Sequence, residues 1–266
     1  MAINKNSTGY TFGFAVVMVV VVGTALAFTA LSLKDRQAAN AADKKMMDVL
    51  SAIGVKADRG NAKELFAEYV VERIAIDPDG KSVASSAGEI NPKDKEDPFN
   101  IDVQRDYRAH VKSAAKAADG DETALRAVMK DAGLEFPLFR CAKDGEALYV
   151  VPVVGSGLWG PIWGYLALES DMKTIYGATF DHKTETPGLG AEIKEDFFQV
   201  KFKGKSIDTA GDLIFDVVKG GAPTTAHSVD GITGGTITSK GVGEMINRTM
   251  QVYVDYFETI NARASR

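Results

Sequence analysis

The hydrophobic pattern of the chain is dominated by one long apolar stretch near the N-terminus. Residues 6–33 contain no charged side chain and include the run FAVVMVVVVGTALAFTALSL. A helix that crosses a bilayer needs about 20 apolar residues, so the pattern predicts one transmembrane anchor within residues 1–34. The alternative is a cleaved signal peptide with Ala25–Ala27 as its processing site. Because the apolar run continues past that site and Lys5 alone is basic before it, the uncleaved anchor is favoured.

Helical periodicity appears in three places after the anchor. Residues 34–53 predict a helix whose apolar side chains between Met46 and Ile53 share one face, and Gly54 follows as a stop. A second helix, AKELFAEYV, is preceded by Asn61 and Glu64, which resemble a capping pair. The run DETALRAVMKDAG predicts a third helix that ends at its glycine.

The middle of the chain changes to short apolar runs that are typical of strands. Four of them are joined by short turns at KDGEA and SDMK, and these are FPLFRCA, ALYVVPVV, IWGYLALE and TIYGATF. RIAID and LIFDVV predict further strands, whereas AEIKEDFFQVKF predicts a helix that runs into a strand. Consecutive strands with short turns pair antiparallel, so the fold class is α+β with a mainly antiparallel sheet and flanking helices. We expect three parts, namely residues 1–34, 35–133 and 134–266.

Composition and charge exclude several classes of protein. The chain has 266 residues, a net charge of −5 and a pI near 5.4, and these values argue against a nucleic-acid partner. One cysteine, Cys141, excludes an internal disulfide and a cysteine metal cluster, and we expect it to be inert packing in a strand. The three histidines, His110, His182 and His227, are scattered and do not resemble a metal site. His182 is expected to be a surface or hydrogen-bonded residue.

The segment DGITGGTITSKGV, residues 230–242, is an unusual way to enter a helix. It combines glycines with four hydroxyl residues, and residues 239–260 then repeat apolar side chains at the helical period. Bare backbone and free N–H groups at a helix start are typical of an anion site. The alternative is a glycine-rich turn capped by a hydroxyl side chain. The spacing matches neither the Walker A loop nor the dinucleotide fingerprint.

The hexapeptide TGGTIT, Thr233–Thr238, is similar to the flavinylation motif S/T-G-A-T-x-T. That motif marks proteins that carry FMN through a phosphoester to the last threonine, so the resemblance implies covalent FMN on Thr238. Gly235 stands where the motif usually has alanine, which is a departure that keeps the residue small. The Asp-Gly pair that often precedes the motif is present as Asp230 and Gly231.

Two further stretches resemble the C subunit of the Na+-translocating NADH:quinone oxidoreductases. They are ETPGLG, residues 185–190, and GSGLWGPIWGYLALE, residues 155–169. The length, the single anchor and the order of the motifs agree with that family. The resemblance implies an electron-transfer subunit that relays electrons by one-electron steps and has no complete active site of its own. The related G subunit of the Rnf complexes shares the flavin motif but is usually shorter.

The resemblance also implies which residues hold the flavin. Thr236 would hydrogen-bond the phosphate and Lys240 would offset its charge, although an N-cap hydroxyl and a solvated lysine are equally simple interpretations. Trp159 would lie along the ring, against the alternative that Trp159 and Trp163 are core residues at a strand end. Besides Thr236, Lys240, Trp159 and Thr238, the expected FMN-binding residues are Gly157, Leu158, Glu185, Thr186, Gly188, Leu189, Gly235, Ile237 and Ser239.

Partners and location follow from the same resemblance. It implies the other membrane subunits of a sodium-pumping complex, a flavin transferase that takes FMN from FAD, and membrane lipid around one helix. The basic residues after the anchor outnumber Lys5, which literally predicts a cytoplasmic domain, but a large domain can translocate against a small bias. We therefore expect a single-pass inner-membrane protein with its domain on the periplasmic side. A stand-alone flavin carrier, or an anchored anion-binding or assembly module without covalent flavin, remain the alternatives.

Overall fold

A computed structural model describes residues 7–92, 94–208 and 213–264, without the side chains of residues 262–264. The chain divides into two units, Met1–Lys45 and Met46–Arg266. Helix α1 (Thr8–Ala52) begins in the first unit and ends in the second. Lys5, on which the charge argument for orientation depends, lies outside the described residues.

Helix α1 contains both the expected anchor and the expected helix that follows it. It is one continuous helix of 45 residues, and its most apolar window has a mean hydropathy of 2.5 and is 0% buried. By length and composition it could cross a membrane. The helix ends where the sequence predicts, because Gly54 adopts a φ of +72°, a conformation that favours glycine.

The second unit is built around a six-stranded antiparallel sheet in the order β2-β1-β3-β4-β5-β6. All five strands expected from residues 70–182 are present, and one more lies at the sheet edge. The strands are β1 (Val70–Ile76), β2 (Ser82–Ser86), β3 (Phe136–Lys143), β4 (Glu146–Ser156), β5 (Pro161–Leu168) and β6 (Ile175–His182). A separate parallel pair is formed by β7 (Asp216–Val218) and β8 (Ser228–Asp230). The α+β class and the mainly antiparallel sheet are confirmed.

Helices cover both faces of the sheet. The helices of the second unit are α2 (Ala62–Tyr69), α3 (Val103–Asp106), α4 (Lys112–Ala118), α5 (Glu122–Asp131), α6 (Asp196–Gln199) and α7 (Thr236–Ala264). Neighbouring strand residues point to opposite faces, so Leu138 joins the core with Tyr253 of α7, whereas Phe139 packs against Phe66 of α2. The Tyr253 hydroxyl donates to the Pro137 carbonyl at 2.8 Å, which fixes α7 across the sheet.

Two expectations of local structure are wrong. Asn61 does not form a capping pair with Glu64, because the Asn61 side chain accepts the Asp58 N–H at 2.8 Å and the Asn61 N–H goes to Asp58 Oδ1 at 3.1 Å. Residues 191–202 contain only short helical turns and no strand. Phe198 and Phe202, one turn apart, are both fully buried against Phe180. A helical turn places both side chains on the same face. A strand would also place them on one face, but farther apart along the chain.

Candidate functional site

The glycine-rich segment connects β8 directly to the start of α7. Gly234 has a φ of +81°, and the Gly235 N–H donates to the Ile232 carbonyl at 3.0 Å. The first hydrogen bond of the helix runs from the Ser239 N–H to the Gly235 carbonyl at 2.9 Å. The N–H groups of the first helical turn therefore have no carbonyl one turn earlier, which is the geometry that favours an anion.

Gly235, the departure from the usual alanine, is tightly packed. A Cβ at this position would lie 3.1 Å from Ile232 Cγ2 and 3.2 Å from the backbone carbon of Leu189. Those two neighbours occupy the space around the missing methyl group. Glycine in place of the usual alanine is thus accommodated by the close packing of these neighbours, and the start of α7 is intact.

Thr238 is buried within this first turn and faces a carboxylate. Its hydroxyl donates to Glu185 Oε2 at 2.6 Å, and the two residues are 2% and 5% exposed. The other carboxylate oxygen, Oε1, accepts the Trp159 N–H at 2.8 Å. The Leu158 N–H is 3.5 Å from the Thr238 oxygen. Three separate segments of the chain therefore meet at one hydroxyl.

Two glycines leave room for this contact. A Cβ at Gly190 would lie 2.3 Å from Glu185 Oε2 and 2.5 Å from Thr238 Oγ1. A Cβ at Gly157 would lie 2.6 Å from Glu185 Oε1. Separations this short do not occur in real packing, so the carboxylate and the hydroxyl meet only because both positions lack a side chain.

A cavity of about 220 Å³ opens beside the Thr238 hydroxyl. Large apolar side chains at its rim are unusually exposed, with Trp159 at 66%, Ile237 at 58%, Leu158 at 51% and Leu189 at 43%. Exposed apolar surface concentrated at one cavity is typical of a ligand site. The lining residues are Leu158, Trp159, Glu185, Thr186, Leu189, Gly190, Gly234, Gly235, Thr236, Ile237 and Thr238.

Nine of the thirteen expected site residues line this cavity, and the other four do not. Ser239 is buried, and its hydroxyl accepts the Ile232 N–H at 2.9 Å. Lys240 points elsewhere and lies 3.7 Å from Glu244 with its side chain 77% exposed. Gly157 lies behind the carboxylate, and Gly188 forms the turn of the 185–190 loop at a φ of +76°.

Sequence reasoning missed Gly190 and Gly234 as lining residues. Both glycines lie inside the motifs ETPGLG and TGGTIT, so these motifs could have identified them as lining residues. It also missed the support that His182 gives to the site, because the Glu185 N–H donates to His182 Nδ1 at 3.2 Å. The expectation that His182 is a hydrogen-bonded residue is confirmed.

The remaining expectations concern the two tryptophans and Cys141. Trp159 is not a core residue, since it is 66% exposed at the turn between β4 and β5, where the Gly157 N–H donates to the Gly160 carbonyl at 2.8 Å. Trp163 is half-buried and packs against a small apolar cluster that includes Tyr107. Cys141 is fully buried, and burial raises the pKa of its thiol to about 12, so the thiol is inert at neutral pH as expected.

Comparison with known proteins identifies the part of the chain that contains this site. Residues 157–251 match the model of the FMN-binding domain family. The C subunit of the Na+-translocating NADH-quinone reductase of Vibrio campbellii is 30% identical over 246 residues, which covers 91% of this chain and 90% of that protein. The corresponding subunit of Vibrio vulnificus is 31% identical over 242 residues and 90% of this chain, or 87% of that protein.

Solved structures agree in fold with the same family. The crystal structure of the C subunit of the Na+-translocating NADH-quinone reductase from Parabacteroides distasonis has a TM-score of 0.66 and is 34% identical, over 85% of this chain and 96% of that one. The crystal structure of Shewanella oneidensis NqrC has a TM-score of 0.60 and is 25% identical, over 82% of this chain and 98% of that one. This chain therefore belongs to the NqrC family, the C subunits of the Na+-translocating NADH-quinone reductases.

Proposed function

We propose that this chain is the covalently flavinylated electron-transfer subunit of a membrane complex that oxidises NADH, reduces quinone and exports Na+. The observation that carries the proposal is the Thr238 hydroxyl, which lines a cavity at the first turn of α7 with the backbone N–H groups beside it. The FMN-binding family match over residues 157–251 and the names of the relatives support the same function.

The residues around the cavity fit an FMN group. The first-turn N–H groups of α7 would hold a phosphate, and the exposed side chains of Leu158, Trp159, Leu189 and Ile237 would cover a planar apolar ring. When bound, FMN supplies the redox chemistry, because it accepts and releases electrons reversibly. The protein positions the group and surrounds it with apolar side chains.

A phosphoester explains why a hydroxyl at this position is needed. The large apolar side chains at the rim are 43–66% exposed, so a flavin held by them alone would exchange with solvent. An ester from Thr238 to the phosphate would keep it in place. On this proposal a flavin transferase uses FAD as the donor, and the chain is its substrate before it becomes an electron carrier.

The surroundings of the domain follow from α1 and from the family. The apolar helix and the naming of the relatives as subunits of a membrane complex indicate membrane association. We place the domain on the periplasmic side, with lipid around α1 and the other subunits of the complex as electron donor and acceptor. The described part of α1 from residue 8 to residue 33 has no charged side chain, so it offers no polar path for an ion.

Substitution of the two threonines tests the attachment. We expect Thr238→Ala, co-expressed with the flavin transferase, to lose all flavin fluorescence on a denaturing gel while its circular dichroism stays unchanged. Thr236→Ala is the matched control, because Thr236 is exposed in the same turn, and it should retain labelling. Equal fluorescence from Thr238→Ala and the parent would refute the assignment and favour an anchored module without covalent flavin.

A further inference from the structure

We infer that the Glu185 carboxylate is the base that takes the proton of the Thr238 hydroxyl when FMN is attached, an inference that rests on the proposed function. A threonine hydroxyl is a weak nucleophile at neutral pH and needs an adjacent base. Such a base must lie within hydrogen-bond reach of the proton that it removes. Glu185 Oε2 meets this requirement at 2.6 Å.

Few side chains at this site could act as the base. Among the described residues that line the cavity, Glu185 is the one with an acidic or basic side chain. Lys240 is two residues from Thr238 in sequence, but its ammonium group lies beside Glu244 at 3.7 Å. His182 Nδ1 already accepts the backbone N–H of Glu185 at 3.2 Å, so this nitrogen is engaged elsewhere.

The carboxylate is held for this contact from several sides. Oε1 accepts the Trp159 N–H at 2.8 Å and leaves Oε2 for the hydroxyl. The backbone of Glu185 is fixed by its bond to His182. Gly157 and Gly190 pack directly against the two oxygens, where a Cβ would be 2.6 Å and 2.3 Å away. Positioning of this kind prepares one oxygen for proton transfer.

The orientation of Thr238 is also unusual for the first turn of a helix. A hydroxyl there commonly bonds to the backbone of its own helix. Here it donates instead to a carboxylate 53 residues earlier in the chain. Thr236, in the same turn, is exposed, so the structure distinguishes the two hydroxyls by their partner as well as by sequence.

The step conserves atoms and electrons. The Thr238 oxygen forms a bond to the phosphorus next to the riboflavin part of FAD, and the bond from that phosphorus to the bridging oxygen breaks. AMP leaves with the bridging oxygen and the electron pair of the broken bond. The hydroxyl proton moves to Glu185 Oε2, and no group is oxidised or reduced. The products are a threonine phosphoester of FMN and AMP.

The test measures the initial rate of flavin attachment to the full chain with purified flavin transferase and FAD. Removal of a general base lowers a rate by roughly 100- to 10,000-fold, so Glu185→Gln should fall by at least about 100-fold. Glu192→Gln is the matched control, because Glu192 accepts the Gly188 N–H at 2.8 Å in the same loop without contacting Thr238, and it should label at the parental rate.

A second variant separates proton transfer from a purely structural role. Glu185→Ala should label slowly, and added formate should restore a part of the rate, because a free carboxylate can enter the vacated space. Thermal unfolding of each variant shows whether it is folded. Parental rates in Glu185→Gln, or no rescue of a folded Glu185→Ala, would overturn the inference while leaving Thr238 as the attachment residue. A parent chain that gains no flavin at Thr238 would overturn the proposed function and this inference together.

Discussion

Two threonine hydroxyls lie two residues apart in the first turn of α7, but their surroundings differ. Thr236 is exposed, whereas Thr238 is 2% exposed and donates to Glu185. The resemblance of TGGTIT to the flavinylation motif makes Thr238 the expected attachment residue. The contact with Glu185 could not be predicted, because it joins two loops 53 residues apart whose relative position depends on the whole sheet. Reading ETPGLG as a ring-edge loop placed Glu185 near the flavin but not against the hydroxyl.

At the same scale, Gly190→Ala should damage the site directly. Its Cβ would lie 2.3 Å from Glu185 Oε2 and 2.5 Å from Thr238 Oγ1, both of them buried. We expect overpacking to lower the free energy of unfolding by about 1–3 kcal/mol. We also expect flavin attachment to slow because the hydroxyl and the carboxylate are forced apart. Urea unfolding and in-gel flavin fluorescence measure the two effects.

Gly188→Ala is the control for this substitution. A Cβ at Gly188 would have nothing within 4 Å, but the φ of +76° is unfavourable for alanine. It should cost roughly 1–2 kcal/mol of stability and leave the attachment rate close to that of the parent. Equal attachment rates for Gly190→Ala and the parent would show that close packing at the hydroxyl is unimportant.

At the scale of elements, a buried ion pair ties β1, the strand next to the edge strand β2, to the connection that covers it. Arg73 of β1 donates to both oxygens of Asp97, from Nε at 2.9 Å and Nη2 at 2.7 Å, and its Nη1 donates to the Gly88 carbonyl at 2.9 Å. The arginine and aspartate side chains are 1% and 4% exposed. The segment between β2 and α3 is polar and has little pattern of its own, so this contact fixes its course.

Arg73→Met should therefore be strongly destabilising. It leaves the Asp97 carboxylate buried without its cation, which costs about 3–5 kcal/mol. Arg140→Met is the matched control, since Arg140 pairs with Glu72 at 2.9 Å but the two side chains are 43% and 30% exposed, and such pairs contribute about 0–1 kcal/mol. The free energy of unfolding in urea measures both. A similar small loss for the two variants would contradict the importance assigned to the buried pair.

Helices and strands were predictable where the sequence pattern is clear. The predictions were wrong where contacts between side chains determine the local structure. The strands from β3 to β6 are short apolar runs separated by turns, and they form as expected. Residues 191–202 were misassigned in part because Phe198 and Phe202 fit more than one period, and their shared burial against Phe180 selects the helical turns. The Asn61 cap failed because Asp58 takes the N–H groups of Gly60 and Asn61.

At the scale of the whole molecule, the anchor and the second unit are separable. The most apolar window of α1 is 0% buried, and the sheet and α7 lie in the second unit. We expect a chain that begins at Lys34 to be soluble and to accept flavin at Thr238. Sedimentation after cell lysis and in-gel fluorescence measure these properties. An insoluble product, or one that is soluble but unlabelled, would contradict the boundary near residue 34.

The orientation in the membrane is a second property of the whole molecule. The basic residues after the apolar run favour a cytoplasmic domain, whereas the proposed function places the domain in the periplasm. We expect alkaline phosphatase fused to the C-terminus to be active and a fused β-galactosidase to be inactive. The reverse pattern would place the domain in the cytoplasm and would contradict the proposed side of flavin attachment.

The most direct test of the account is the mass of one proteolytic peptide. Trypsin cleaves after Lys219 and Lys240, and the peptide between them contains Thr238. After co-expression with the flavin transferase, we predict a mass increased by one FMN less one water, with fragment ions that place the addition on Thr238. A peptide with the unmodified mass, or one that carries the addition on Thr236, would contradict the account.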